Sequence, residues 1–165
     1  MLVGIISDTH DRLDYVRRAM EEFKKLGVEH ILHCGDLVAP FVLPLLKLEG
    51  VSVDVMLGNN EGELVLISKR CSELGFSLHT APCVLTIDNR RFLVSHEPVA
   101  PDVLGRCGEF DIVAFGHTHK RELYAVGNTI IVNPGEACGW LTGEATFAVY
   151  DTDLHKVKVY FLGAS

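Results

Sequence analysis

The chain has 165 residues, of which 48% are hydrophobic and 22% are charged. This composition excludes a disordered chain, and the length predicts a single domain that spans residues 1–165. The formal net charge of −7 argues against extended nucleic acid as a partner, because a nucleic-acid surface needs a basic footprint.

The apolar runs and the cysteines bear on cellular location. No apolar run approaches the roughly 18 residues that a membrane span requires, and Met1–Gly4 lacks the basic start of a signal peptide. The five cysteines form no C-x-x-C pair, so we expect reduced thiols that pack as small core residues rather than disulfides or zinc ligands. These features predict a cytoplasmic protein without a membrane partner.

The first half of the chain alternates apolar runs with amphipathic segments. Apolar residues three and four apart predict helices over residues 13–26 and 64–74, each ended by a glycine, with Asp11 as the N-cap of the first. A further helix is expected over Pro40–Leu48, where Pro44 must lie in the first turn or kink it. Short apolar runs predict strands at Leu2–Ile6, Ile31–Leu32 and Val51–Leu57. This β-α-β order implies parallel strands joined by right-handed crossovers.

The second half indicates hairpins instead. Turn residues at Asp88–Arg91 and Gly127–Asn128 lie between short apolar runs, and a short helix is expected around residues 103–107. The predicted strands are 84–87, 92–94, 112–115, 122–126, 129–132, 146–150 and 157–162. We therefore expect an α/β fold of two packed sheets with helices outside.

Polar clusters follow five of the predicted strands. They are Asp8-Thr9-His10, Gly35-Asp36, Gly58-Asn59-Asn60-Glu61, Ser95-His96-Glu97 and Gly116-His117-Thr118-His119. Ligands bind beyond the carboxyl ends of strands in open α/β sheets, so these clusters are expected to converge on one pocket. Taken singly, the aspartates are also typical of helix caps or turns, Asn59 of a turn, and His96 of a surface residue. Independent turns, however, have no reason to place such residues after five strands.

The combined donor set indicates a metal site. Two aspartates, one amide and four histidines offer oxygen and nitrogen without sulfur, which suits Mn, Fe, Co, Ni or Zn at a hydrolytic centre. Seven side chains exceed the needs of one catalytic ion and suffice for two if one carboxylate bridges them.

In this order, Asp8-x-His10, Gly35-Asp36, Gly58-Asn59, His96 and Gly116-His117-x-His119 resemble the motif set of the calcineurin-like metallophosphoesterases. The similarity is to the small archaeal and bacterial phosphodiesterases, which share an Asn-Pro-Gly segment like the one at Asn133. It implies a four-layer α/β/β/α sandwich of two mixed sheets flanked by helices. It also implies hydrolysis of a phosphodiester by a metal-bridging hydroxide.

The resemblance further implies how the ligands are divided. One cation would be held by Asp8, His10, Asp36 and His119, and the other by Asp36, Asn59, His96 and His117, with Asp36 bridging. We expect Mn²⁺ or Ni²⁺, although Fe, Co and Zn suit the same donors. The expected partner is a small phosphodiester or nucleotide-like substrate. A homodimer is the default oligomeric state, which no feature of the sequence supports directly.

Two residues depart from the family pattern. Asn60 occupies a position where many members have a histidine, and we assign it a catalytic place. Asparagine can donate hydrogen bonds but cannot deliver a proton near pH 7, so good leaving groups are expected. Glu97 replaces the usual glycine and is assigned to substrate binding. It could repel phosphate, recruit a metal, act as an acid or point into solvent.

These departures leave an alternative function open. A retromer subunit similar to this branch uses the same fold as a non-catalytic protein-interaction scaffold with an impaired metal pocket. Outside the motifs, His33 is expected beside the metal ligands or as an ordinary sheet residue. Glu136 and Trp140 could line the mouth of the pocket, but packing is favoured for both. His30, His79 and His155 are expected to lie on the surface.

Overall fold

The computed structural model describes residues 1–164. Its strands are β1 (Leu2–Ile6), β2 (His30–His33), β3 (Ser52–Met56), β4 (Ser77–His79), β5 (Cys83–Ile87), β6 (Arg90–Val94), β7 (Ile112–Ala114), β8 (Arg121–Val126), β9 (Thr129–Pro134), β10 (Glu144–Asp151) and β11 (Lys156–Ala164). Its α-helices are α1 (Leu13–Leu26), α2 (Leu64–Leu74) and α3 (Pro101–Cys107). Within residues 1–164, no helix has the length and apolar character needed to cross a membrane.

The strands form two mixed sheets. The first has the order β11-β10-β1-β2-β3-β4 and the second has the order β5-β6-β7-β9-β8. Strands β1 to β4 run parallel, so that Ile6 pairs with His33 and His33 with Val55 at their carboxyl ends. In the second sheet β6, β7 and β9 run parallel, and Val94 pairs with Ala114. In each sheet several parallel strands therefore end at the same edge, and the polar segments that follow these strands lie there.

Three apolar cores separate four layers. Helices α1 and α2 cover the first sheet through Phe23 and Ile67, and Phe23 meets Phe147 of β10 edge to face at 4.9 Å between ring centroids. Between the sheets, residues such as Ile5 and Phe92 form a second core. Helix α3 covers the second sheet over Leu93, Val113, Phe115 and Ile131. This arrangement confirms the predicted α/β/β/α sandwich.

Local predictions were wrong where turns decide the conformation. Arg12, not Asp11, is the N-cap residue of α1, and no side chain caps the helix. Asp11 has φ of +56° and its Oδ1 accepts a hydrogen bond from the amide of Ala39 at 3.2 Å, so it joins two loops. The helix expected over Pro40–Leu48 is only a 3-10 turn at Leu43–Leu46. Pro44 lies in its first turn, because proline has no N–H to donate further along a helix.

Some cysteines and histidines also lie elsewhere than expected. Cys34, Cys71 and Cys138 are buried, whereas Cys83 is half-buried and Cys107 is exposed. The expectation of core packing is therefore wrong for Cys107. His30 and His79 are not free surface residues either. Both donate to Asp54 on the strand between them, at 2.7 and 2.5 Å.

The hydrogen bonds from His30 and His79 predict that the Asp54 carboxylate stabilises the folded protein. Burial would raise the pKa of Asp54, but the hydrogen bonds from His30 and His79 outweigh it and lower that pKa. We expect Asp54→Asn to reduce the free energy of unfolding by about 1–3 kcal/mol at pH 7. A carboxyl whose pKa is depressed by folding stabilises the protein above its unfolded pKa, near 3.9, and loses this effect as pH falls through its folded pKa.

The measurement is urea unfolding of both proteins at pH 7, 5 and 3.5. The difference between them should shrink at the lowest pH, while Glu49→Gln, an exposed carboxyl, should stay within about 0.5 kcal/mol of wild type throughout. A difference for Asp54→Asn that grows on acidification would contradict the assignment.

Candidate metal centre

The structure brings all seven predicted ligand residues together at the carboxyl ends of five strands. Asp8 and His10 follow β1, and Asp36 follows β2. The remaining four follow strands of both sheets and are Asn59 after β3, His96 after β6, and His117 and His119 after β7. The clusters separated by more than 100 residues of sequence therefore face one another across the seam between the sheets.

One half of the site is built around Asp8. The Nε2 atom of His119 lies 3.5 Å from Asp8 Oδ1, and the Nε2 atom of His10 lies 3.9 Å from the same oxygen. His10 Nε2 also lies 3.6 Å from Asp36 Oδ2. The rings of His10 and His119 are stacked, with centroids 5.1 Å apart. These atoms form one compact group of donors.

The other half is built around His96. Its Nε2 atom lies 3.3 Å from Asp36 Oδ1, and its ring meets that of His117 at 5.3 Å between centroids. His117 Nδ1 lies 2.8 Å from the Oδ1 atom of Asn59. Asp36 thus presents one carboxylate oxygen to each half of the site.

The buried atoms of the centre fit cations. Asp8 Oδ1, His10 Nε2 and His96 Nε2 are buried without a hydrogen-bond partner, which costs free energy unless something else satisfies them. Nδ1 of His96 lies 2.8 Å from the carbonyl oxygen of Cys34, which can only accept. His96 therefore carries a proton on Nδ1, and its Nε2 atom faces Asp36 Oδ1.

The pKa values of the two carboxyl groups are shifted in opposite directions. Burial raises the pKa of Asp8, and the nearby Asp36 carboxylate adds to the effect. Burial would also raise the pKa of Asp36, but its close pairing with His96 and hydrogen bonds from both the backbone and the side-chain amide of Asn60 reverse this and lower it well below its usual range. Asp36 is therefore an anion at neutral pH.

The backbone of the site is strained. Five of the predicted ligand residues have positive φ, a region that costs residues other than glycine of the order of 1–3 kcal/mol each. They are Asp8, His10, Asp36, His117 and His119, with φ between 39° and 64°. Such strain persists where the surrounding structure over-determines the conformation, and it clusters at functional sites.

Two glycines are required by close approach of the site residues. A Cβ atom at Gly58 would overlap Oδ1 and the backbone nitrogen of Asp36. A Cβ atom at Gly116 would overlap Ser7 Oγ and lie 2.7 Å from Asp8 Oδ2. The glycines that precede Asn59 and His117 in sequence therefore make room for carboxylates from other strands.

Glu136 contributes to the site, although packing was favoured for it over a place at the pocket mouth. Its side chain is fully buried, and its Oε2 atom accepts a hydrogen bond from His119 Nδ1 at 2.7 Å. The amides of Trp140 and Leu141 and both donors of Thr142 also point to this carboxylate. Burial would raise the pKa of Glu136, but these hydrogen bonds lower it to about 2. An anion can only accept, so the proton of His119 lies on Nδ1.

Glu61 is a second supporting carboxylate, which belongs to the polar cluster after β3 but had been given no role of its own. Its Oε1 atom accepts the amides of Asp36 at 2.9 Å and Gly58 at 3.0 Å, while its Oε2 atom accepts that of Val38 at 2.8 Å. Glu61 therefore ties the turn after β2 to the turn after β3, which fixes the backbone on both sides of the shared carboxylate.

His33 lies behind the predicted ligands, as one of the two expectations had it. It is fully buried, and its Nε2 atom lies 3.1 Å from the hydroxyl of Thr9, which stands between the predicted ligands Asp8 and His10 in sequence. The amide of Gly35 donates to its Nδ1 atom at 3.2 Å. Burial lowers the pKa of His33 to about 3, so the ring is neutral.

Asn60 contacts the shared carboxylate, whereas Glu97 lies beside the centre. Asn60 is exposed and donates to both oxygens of Asp36, through its backbone at 2.9 Å and its side chain at 2.8 Å. Glu97 is also exposed and lines a cavity beside the centre. Trp140 is 60% exposed and its ring lies along His10, 6.3 Å between centroids, rather than in the core.

Residues 1–155 match the calcineurin-like phosphoesterase superfamily domain. Phosphodiesterase MJ0936 of Methanocaldococcus jannaschii is 33% identical over 156 residues, which are 93% of this chain and 94% of that protein. The structure of a novel archaeal phosphodiesterase is similar with a TM-score of 0.89 at 32% identity, covering 98% of this chain and 99% of the other. A Vps29 variant from Entamoeba histolytica shares the fold, with a TM-score of 0.68 at 20% identity over 98% of both chains. The chain belongs to the calcineurin-like phosphoesterase superfamily.

Proposed function

We propose that the protein is a divalent-metal-dependent phosphodiesterase that acts on small phosphodiesters, including nucleotide-like ones, at a two-metal centre. The observation that carries the proposal is the position of Asp36, which has His10 Nε2 at 3.6 Å from one oxygen and His96 Nε2 at 3.3 Å from the other. Both nitrogens are buried and unpartnered, so one anionic side chain is shared by two groups of donors.

The ligands would be divided as the family resemblance implies. Asp8, His10, Asp36 and His119 would hold one cation, and Asp36, Asn59, His96 and His117 the other. When bound, two such cations supply a water of lowered pKa and neutralise charge on the phosphoryl oxygens. The donors suit Mn²⁺ or Ni²⁺ best in our proposal. Five unpaired cysteines are consistent with a reducing compartment, and we place the protein in the cytoplasm.

Two carboxylates of the chain, Glu61 and Glu136, hold the predicted ligands in position. Glu61 holds the backbone on either side of Asp36, and Glu136 holds the ring of His119. Asp8 Oδ1, His10 Nε2 and His96 Nε2 have no hydrogen-bond partner to give up, so little reorganisation of these atoms is needed when a cation binds.

The competing function is a non-catalytic scaffold. The likeness to Vps29 at 20% identity concerns the fold alone. All seven ligand positions carry metal-binding side chains that converge on one site, which favours the enzyme.

The test is hydrolysis of bis(p-nitrophenyl) phosphate by metal-stripped protein, with Mn²⁺, Ni²⁺, Co²⁺, Zn²⁺ and Mg²⁺ added back separately. We expect turnover only with added metal, and His117→Gln should lower kcat/KM by at least about 10²-fold, since misplacing the reacting groups by about 1 Å already costs that much. His155→Gln removes a histidine that contacts Tyr150 and Asn128 far from the centre, and it should keep full activity. Protein that binds two ions but hydrolyses neither this diester nor a nucleoside aryl diester would instead favour the scaffold.

Asn60 predicts a dependence on the leaving group. Its amide cannot protonate a departing alkoxide, and general acid catalysis is worth about 10²–10⁴-fold. We expect p-nitrophenyl diesters to be hydrolysed much faster than phenyl diesters, and alkyl diesters slowest. The check is a plot of log kcat against the pKa of the leaving group for both wild type and Asn60→His. The slope for Asn60→His should be shallower than the slope for wild type. Similar rates for aryl and alkyl diesters in the wild-type protein would contradict this prediction.

A further inference from the structure

A cavity of about 390 Å³ lies beside the candidate metal centre, and its size falls in the range of small-molecule sites. Its walls come from the segment after β3, the loop between β4 and β5, and the segment after β6, so it occupies the seam between the two sheets. Asn59 and His96, both assigned to the metal centre, line it. A group in this cavity would therefore lie next to a phosphorus held at the centre.

The lining of the cavity is mainly apolar. Leu57, Ala81, Pro82 and Val99 contribute apolar surface. Neither lysine nor arginine is among the described residues that line it, and Glu97 supplies a carboxylate. Phosphate and carboxylate groups are normally recognised by such cations, so the cavity suits an uncharged group.

Glu97 is held at this place by its backbone. The hydroxyl of Ser95 donates to the carbonyl oxygen of Glu97 at 2.7 Å, and the amide of Gly116 donates to the carbonyl oxygen of His96 at 2.9 Å. The segment that carries Glu97 is thus closed by a local turn and anchored to the turn after β7. Its carboxylate would act on any second negative charge that entered the cavity, across a distance shorter than the Debye length.

We propose that this cavity binds one ester substituent of the scissile diester. The substituent is an uncharged, largely apolar group of the size of an aryl or nucleoside group, and Glu97 excludes substituents that carry a further negative charge. The inference rests on the proposed function for the position of the phosphorus, and it adds the substrate class and a residue that sets specificity.

The test measures binding, so that it can fail separately from the activity. Mn²⁺-loaded protein is titrated with diphenylphosphinate, an uncleavable anion with two phenyl groups, and with its bis(4-carboxyphenyl) analogue. Because both rings of the analogue carry a carboxylate, the ring in the cavity is charged whichever way the ligand binds. We expect wild-type protein to bind diphenylphosphinate at least tenfold more tightly than the analogue.

Two variants test the cavity from opposite directions. Glu97→Gln should reduce this tenfold ratio of dissociation constants to about two, and Val99→Lys should remove or invert it. Glu49→Gln, an exposed carboxylate outside the cavity, should leave the ratio unchanged. A ratio that is the same in wild type, Glu97→Gln and Val99→Lys would overturn the proposal, as would failure of the wild-type protein to bind diphenylphosphinate. Loss of the proposed hydrolytic function would instead appear as normal binding without turnover of bis(p-nitrophenyl) phosphate.

Discussion

Replacing Asp36 with alanine is expected to lower kcat/KM for bis(p-nitrophenyl) phosphate by at least about 10³-fold, because residues that act as a unit lose most of their effect together. Asp36 is the one side chain with an oxygen toward His10 and another toward His96 among the described residues. Its removal takes a donor from both halves of the site at once. The number of tightly bound cations should therefore fall as well as the rate.

The measurement combines steady-state kinetics in Mn²⁺ with a titration of bound metal per chain. Urea unfolding of the metal-free variant shows whether the fold is intact. His155→Gln is the control, because it changes a histidine away from the metal centre and should keep full activity. Asp36→Ala that keeps more than a tenth of the wild-type kcat/KM while folded would remove this residue from the centre of the mechanism.

The convergence of the ligands could be predicted because each one stands directly after a strand. Asp8, Asp36 and His117 each follow an apolar run, and local patterns suffice to place such residues at a sheet edge. The helices α1 and α2 were predictable for a similar reason, since their apolar spacing is a local property. Strand β4 was missed because Ser77–His79 is too short to show alternation.

What the sequence could not show are contacts that depend on strand register. Asp54 meets His30 and His79 only because β2, β3 and β4 are neighbours in this order. Glu61 bonds with amides about 25 positions away in sequence, and nothing near it marks that role. The left-handed conformation of Asp8 and the other ligands is likewise imposed by the fold, since aspartate and histidine do not require it.

Removal of the Glu136 carboxylate is the second change from which we expect a large effect. Glu136 accepts from His119 Nδ1 at 2.7 Å and keeps the Nε2 lone pair directed toward Asp8. Carboxylates that orient a metal-binding histidine typically contribute 10–100-fold to metal affinity. Glu136→Gln should therefore lower the binding affinity of the cation held by His119 by about that factor. The other cation, whose donors do not contact Glu136, should bind as before.

The readouts separate orientation from folding. Competition with a chelator gives the two metal affinities, and the nitrogen chemical shifts of His119 report which ring nitrogen carries the proton. We expect a mixture of ring tautomers in metal-free Glu136→Gln, whereas the wild-type protein should hold the proton on Nδ1. Glu144→Gln is the matched control, because Glu144 is a neighbouring carboxylate paired with Arg121 rather than with His119. The contrary result would be that Glu136→Gln lowers stability in urea while both metal affinities and the His119 tautomer stay unchanged. Glu136 would then serve only to hold the loop by accepting hydrogen bonds from the amides of Trp140 and Thr142.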